Sequence, residues 1–282
     1  ANRQWLPWAA SSRPSDYLPA ATPDRSRLSP HTDPAQYSTP QAGSDWRPFT
    51  SGETLRMNCD IAIIGAGPSG LCLARALAET GLSIVLIERQ KESSLADPVF
   101  DGREIALTHT SRATLEELDI WSRLPQEDIA LLRDAQVLNG PSPFALQIQA
   151  RHAGADHLGH LVANRSIRRA AWESLQAVGG VQMLCDTRLR QIRQHSGGIE
   201  LALSDGTQLE ARLLVAADSR FSETRRLLGI GSQMKDFGKS MMVCRMNHEV
   251  DHQQVAWEWF GYGQTLALLP LNGRQSSVVI TL

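Results

Sequence analysis

Cysteine is scarce in this chain. There are four in 282 residues (Cys59, Cys72, Cys185 and Cys244), and none is in C-x-x-C or zinc-ligand spacing. That excludes a disulfide scaffold or a zinc module and gives a reducing, cytosolic setting as the default. No apolar run approaches the roughly 20 residues needed to span a bilayer. Neither sign of charge dominates, with 28 Lys and Arg against 30 Asp and Glu and a formal charge of −2. No basic stripe with interleaved aromatics occurs, which argues against a nucleic-acid binder. His, Asp and Glu form no group with metal-ligand spacing. His152, His157 and His160 are a loose group expected on a solvated loop. No Ser/His/Asp or Cys/His nucleophile is evident, and there is no internal repeat.

What is present is concentrated in Met57-Asn-Cys-Asp-Ile-Ala-Ile-Ile-Gly-Ala-Gly-Pro-Ser-Gly70. Ile61 to Ile64 form the short apolar run of a parallel central strand. Gly65, Gly67 and Gly70 follow in G-x-G-x-x-G spacing. Leu71 to Thr80 reads as a helix with Leu71, Ala74, Leu77 and Ala78 on one face, stopped by Gly81. A second strand, Ser83-Ile-Val-Leu-Ile87, ends at Glu88, eighteen residues after Gly70. In such a unit Gly65 permits the tight turn, Gly67 lets the backbone approach a pyrophosphate, and Gly70 lets helix and strand pack closely. The N–H groups at the helix start favour phosphate charge. Glu88 is placed to accept the hydroxyl hydrogens of an adenosine ribose and would repel a 2′-phosphate, so FAD or NAD is favoured over NADP. Arg89, beside it, is counted with it as cofactor-binding.

Residues 1–56 differ from the rest. They hold eight of the fourteen prolines and eight serines, and no periodicity persists. Such a composition buries too little apolar surface to offset ordering entropy, so a disordered, dispensable extension is expected. It lacks the basic and apolar regions of a signal peptide. Further on, helices are expected over Ser111–Trp121 and Asn164–Val178, and extended segments over 135–162, broken at Gly140-Pro-Ser-Pro143. Strands are expected at Val181–Cys185, Ile199–Leu203 and Leu209–Val215, with Asp205-Gly206 as a tight turn. Four alternating segments close the chain: Met241–Asn247, Val255–Phe260, Thr265–Leu269 and Ser276–Leu282. This order suggests two interleaved layers. The expected fold is mixed α/β. A Rossmann-like βαβ domain (57–134 and 163–230) is interleaved with an antiparallel-sheet domain (135–162 and 231–282).

The second informative stretch is Leu213-Leu-Val-Ala-Ala-Asp-Ser-Arg-Phe-Ser-Glu-Thr-Arg225. An apolar strand delivers Asp218 at its C-terminal edge, where ligands collect in open α/β sheets. Here the chain resembles the FAD-dependent aromatic hydroxylases of the para-hydroxybenzoate hydroxylase type, whose fingerprint is A-D-G-x-x-S-x-x-R. Asp218, Ser222 and Arg225 match it, and Ser219 stands where the family has glycine. Asp101-Gly-Arg103 with Ala106-Leu107, Ser111, Leu115, Leu118 and Trp121 is similar to a block of the ubiquinone-biosynthesis branch. Leu161-Val-Ala-Asn-Arg165 is similar to the segment that lays an arginine along the flavin. Leu269-Pro-Leu with Ser276-Ser-Val resembles the substrate-domain strands, so the similarity covers residues 57–282. The family's third motif, G-D-A-x-H-x-x-x-P, has no counterpart. The chain is therefore expected to be a fragment that binds FAD weakly, hydroxylates nothing by itself and is less soluble than a full-length enzyme.

The resemblance implies a monooxygenase acting on an aromatic ring, a prenylated phenol on the route to ubiquinone. A nicotinamide, NAD(P)H, reduces FAD, O₂ adds to form the C4a-hydroperoxide, and the electron-rich ring attacks the distal oxygen. It implies flavin contacts from Arg103, Arg165 and Asp218, and no catalytic side chain or metal. A cytoplasmic location peripheral to the inner membrane, or in a ubiquinone-forming complex, is consistent with such a substrate. The alternatives are a same-fold flavin reductase or halogenase, or a non-catalytic flavin-fold chain that binds a partner.

Overall fold

The computed structural model describes residues 55–261 and 263–282, all within the compact unit Arg47–Leu282. The expectation for residues 1–56 lies outside the described residues up to position 54. Arg56 already belongs to the first strand, β1 (Arg56–Ile64). The chain continues through α1 (Pro68–Leu77), β2 (Ile84–Ile87), α2 (Glu92–Ala96), β3 (Glu104–Leu107) and α3 (His109–Glu117). Next come β4 (Ile129–Leu132), β5 (Asp134–Asn139), β6 (Ala145–Gln149), β7 (Gly159–Ala163) and α4 (Asn164–Val178). Then follow β8 (Val181–Leu184), β9 (Leu189–His195), β10 (Gly198–Leu203), β11 (Gln208–Ala216) and α5 (Glu223–Leu227). Strands β12 (Met241–Asn247), β13 (Val255–Gly261), β14 (Gln264–Pro270) and β15 (Gln275–Thr281) close the chain.

The strands form three sheets. The first has the order β8-β2-β1-β11-β10-β9. Its first four strands are parallel, and β10 and β9 are added antiparallel. Ile61 and Ile63 pack beneath Leu71 and Ala74 of α1 and Ile167, Ala171 and Leu175 of α4. Ala62 and Ile64 join Val85, Ile87, Leu201 and Leu209 on the other face. Apolar cover on both faces explains why the central strands read as continuous runs without alternation. The second sheet, β12-β15-β14-β13-β5-β6, is antiparallel except at β13–β5. A third, small antiparallel sheet has the order β3-β7-β4. The architecture is the expected one: a Rossmann-like βαβ layer interleaved in sequence with an antiparallel sheet.

Several elements differ from expectation. Helix α1 begins three residues earlier, because Gly67 is its N-cap and Pro68 suits the first helical position. Helix α3 stops at Glu117 rather than Trp121, since Asp119 turns left-handed at φ 52°. Strands β4 and β9 were not expected. Strand β7, expected with the extended segments of 135–162, lies between β3 and β4.

The histidines require a correction. His160 is in β7 and only 7% exposed, not on a solvated loop. Its ring packs edge-on to His157 at 4.9 Å and to Trp121 at 5.2 Å, and His109 packs on His157 at 4.6 Å. Strand β7 is the middle strand of its sheet and is buried along its whole length, and that sets the burial of His160. Burial, then His157, Arg112 and His109, push the His160 imidazole down to about 4. His152 is exposed, as expected.

Candidate dinucleotide site

A cleft of about 560 Å³ opens where the parallel strands end, at the C-terminal edge of β1, β2 and β11. Ligands collect at this edge of an open α/β sheet. A larger hollow of about 830 Å³, beside Asp60, Leu82 and Arg212, lies toward the other end of β1. Its ion pair, Asp60 with Arg212, leaves the arginine side chain 76% exposed, as at an ordinary surface.

The three motif glycines have different surroundings. Gly65 sits at φ +104°, and a β-carbon there would come 2.6 Å from the Ala217 carbonyl oxygen. A β-carbon on Gly70 would come 1.9 Å from the Gly65 carbonyl oxygen. At Gly67 it would meet no atom within 4 Å, because this residue faces the cleft. Gly67 caps α1 with no side-chain hydrogen bond, so the first N–H groups of the helix are left for a ligand.

Glu88 directly follows β2 and is almost fully buried. Its Oε2 accepts the Ala66 N–H at 2.7 Å and its Oε1 accepts the Gln90 N–H at 2.8 Å. The carboxylate therefore splints the glycine turn to the strand end, while each oxygen can accept a further hydrogen bond. Arg89, also a cleft residue, is exposed. Asp218 follows β11 by two residues. Its Oδ2 accepts the Thr224 N–H and hydroxyl, both at 3.0 Å, and its Oδ1 is buried without a partner. Burial opposes its charge, but the nearby Ser222 hydroxyl and the hydrogen bonds from Thr224 outweigh it and hold the carboxyl below the usual range. A buried carboxylate oxygen with nothing to accept from is costly, and a ligand donor in the cleft would relieve it. Next to it Ser219 is at φ 90°, a conformation suited to glycine, which accounts physically for the glycine in the resembled fingerprint.

The structure thus brings Gly65, Gly67, Glu88, Arg89, Arg103 and Asp218 to one cleft. Gly70 sits behind it as the close-packing point of helix and turn. Arg103 pairs with Asp101, whose Oδ2 also accepts from Asn164 Nδ2 at 2.7 Å. Arg165 lies outside the cleft, its guanidinium 5.4 Å from the Phe100 ring centre. Arg168, one turn further along α4, borders the cleft instead and donates to Gln90 Oε1 at 2.9 Å. Sequence reading missed Arg168, Asn164, Thr187 and Arg188. The available signal was the i, i+4 spacing of Asn164 and Arg168 at the start of a helix that follows a buried strand. Among the described residues no group of three or more His, Cys, Asp or Glu is placed to hold a metal ion. No described helix is long and apolar enough to cross a membrane.

Open space at Gly67 and an orphaned oxygen at Asp218 fit a bound dinucleotide, and comparison with known proteins agrees. The chain is 46% identical over 234 residues to the ubiquinone hydroxylase UbiM of Neisseria meningitidis, covering 82% of this chain and 51% of that protein. It is 34% identical over 222 residues to the ubiquinone hydroxylase UbiL of Rhodospirillum rubrum, covering 79% and 51%. The chain therefore spans about half the length of these curated relatives. Among solved structures, PqsL, a probable FAD-dependent monooxygenase from Pseudomonas aeruginosa, superposes with a TM-score of 0.67 at 19% identity. That match covers 80% of this chain and 60% of PqsL, and it shows the shared fold. The sequence profile described as the FAD binding domain matches residues 58–281, so the chain belongs to the FAD binding domain family.

Proposed function

We propose that this chain holds FAD for an aromatic hydroxylase of ubiquinone biosynthesis, with NAD(P)H and O₂ as co-substrates and a prenylated phenol as substrate. The observation that carries the reading is the cleft itself: Gly67 is open to it, and the buried Oδ1 of Asp218 has no partner there. The relatives from Neisseria and Rhodospirillum, each named a ubiquinone hydroxylase, support this choice of reaction.

FAD, when bound, supplies the electron-transfer and oxygen chemistry. The chain's own groups bind and orient. The free N–H groups of α1 take pyrophosphate charge, Glu88 takes the ribose hydroxyls, and Arg103 and Arg168 offset negative charge at the cleft rim. Asp218 Oδ1 accepts a hydrogen bond from the cofactor. Arg89 belongs to the adenosine end by its place next to Glu88, and Arg165 acts through Phe100 rather than in the cleft. In this reading 57–134 and 163–230 carry the cofactor, and 135–162 with 231–282 form the substrate side. A cytoplasmic protein working at the inner membrane, alone or in a ubiquinone-forming complex, suits a prenylated substrate.

The test is titration of the purified chain with FAD, followed by flavin fluorescence quenching, with ADP as competitor. Quenching relieved by ADP is expected, and FAD that ADP cannot displace would remove the adenosine assignment. Supplying ¹⁸O₂, NAD(P)H and a short-chain prenylphenol to a protein of the relatives' full length that carries this chain then tests the reaction by mass spectrometry. One labelled oxygen in the product is expected. NAD(P)H oxidation that leaves the phenol unlabelled would favour a reductase instead.

A further inference from the structure

Residues 100–104 run between α4 and the second sheet and make contacts with both. The Phe100 ring lies 4.7 Å from the Arg245 guanidinium and 5.4 Å from that of Arg165. Asp101 binds Arg103 and Asn164. Gly102, at φ +73°, sits against β12, where an added β-carbon would be 3.9 Å from Val243 Cγ1. The Arg103 carbonyl accepts the Asn164 N–H at 2.9 Å, and Arg103 is among the residues that line the cleft. Glu104 has a side chain only 1% exposed, and its Oε1 accepts from Nε and Nη2 of Arg245 at 2.9 and 2.6 Å.

Arg245, projecting from β12, therefore holds this segment at both ends. It meets Phe100 through the ring and Glu104 through two charge-assisted hydrogen bonds. A planar guanidinium with two fixed donors sets direction as well as distance, which an ammonium does not. We propose that Arg245 is a positioning residue of the cofactor cleft. It fixes residues 100–104 from the antiparallel sheet, so that the Asp101–Arg103 pair presents the Arg103 guanidinium to the bound dinucleotide. The last step rests on the FAD reading above, whereas the fixing of the segment does not.

The competing account is that Arg245 merely neutralises a buried carboxylate. Hydrogen–deuterium exchange of the chain without flavin separates the two. Arg245→Met is compared with Val278→Ala, a truncation on the opposite face of the same sheet, and with the double variant Glu104→Gln/Arg245→Met, which carries no unpaired charge. Exchange of the 100–104 amides is expected to rise roughly tenfold in both Arg245→Met backgrounds and to stay at the parent rate in Val278→Ala. Arg245→Lys should recover part of the protection. Parent-level protection in the double variant, or equal loss in Val278→Ala, would overturn the proposal. A second arm measures FAD affinity by fluorescence quenching. Arg245→Met should weaken it roughly tenfold alone and add little in an Arg103→Ala background, and fully additive losses would show that Arg245 does not act through Arg103. Failure of the parent chain to bind FAD would sink the functional reading, while the exchange result still decides the positioning.

Discussion

A β-carbon at Gly67 would meet open cleft, whereas at Gly70 it would strike a carbonyl oxygen 1.9 Å away. The two positions should therefore fail differently. Gly67→Val is expected to change unfolding free energy by less than about 0.5 kcal/mol while abolishing FAD binding, because its bulk lands where pyrophosphate would lie. Gly70→Ala should cost about 3 kcal/mol or more and lose binding through the fold. Urea titration with flavin quenching on the same samples checks both, and equal destabilisation would contradict the assignment. Ser219 strains its backbone at φ 90°. Ser219→Gly should stabilise by about 1 kcal/mol after allowing for the looser unfolded chain, read as a shift in urea midpoint. The glycines, Glu88 and Asp218 were legible in the sequence because backbone geometry and charge demand those residue types in that order. Arg168 and Thr187 were not, since an arginine or threonine reads the same at a cleft as on a surface. Nor was it legible that the helix would turn Arg165 onto Phe100, outside the cleft.

Between elements, the packing of α3 on β7 traps an imidazole. His160 faces Arg112, His109 and Glu116 from α3, and His157 from the preceding loop. Its folded pKa, about 4, lies below the ordinary 6.5. As pH falls below 6.5 the unfolded chain takes a proton that the native protein refuses, so stability drops until about pH 4. The loss should reach roughly 3 kcal/mol. Carboxylates held below their ordinary range, such as Asp60 and Asp218, add losses only at lower pH. Urea unfolding between pH 7 and 4.5 should show this slope, and it should flatten in His160→Gln. An unchanged slope would assign it elsewhere. Most elements were readable from apolar runs, and Asn164–Val178 matches to the residue. Strand β9, Leu-Arg-Gln-Ile-Arg-Gln-His, escaped notice because an edge strand exposed on one side carries few apolar residues. His160 was misjudged because a histidine in a short buried strand of a third sheet leaves no periodic trace.

For the whole molecule, the interleaving of two layers was visible in the order of elements, but strand neighbours were not. Pairing across long stretches of chain leaves no local signature in sequence. The central sheet joins residues 56–64 to residues 208–216 in parallel register. The cleft takes its walls from both sides of that seam, at Gly65–Pro68 and at Ala217–Ser219. Such a closure is entropically slow, because nothing rewards it until the distant strand arrives. In stopped-flow refolding with FAD present, flavin quenching should therefore appear no earlier than the slowest tryptophan phase. Quenching that runs ahead of that phase would refute this order of assembly. On the ribosome the same seam sets a timetable. The glycine turn is made early but must wait for β11 to emerge, its apolar strand meanwhile exposed to chaperones and to misfolding. Capacity to bind the cofactor is then acquired in one late step, so that flavin captured by a nascent chain would mark the moment its central sheet closed.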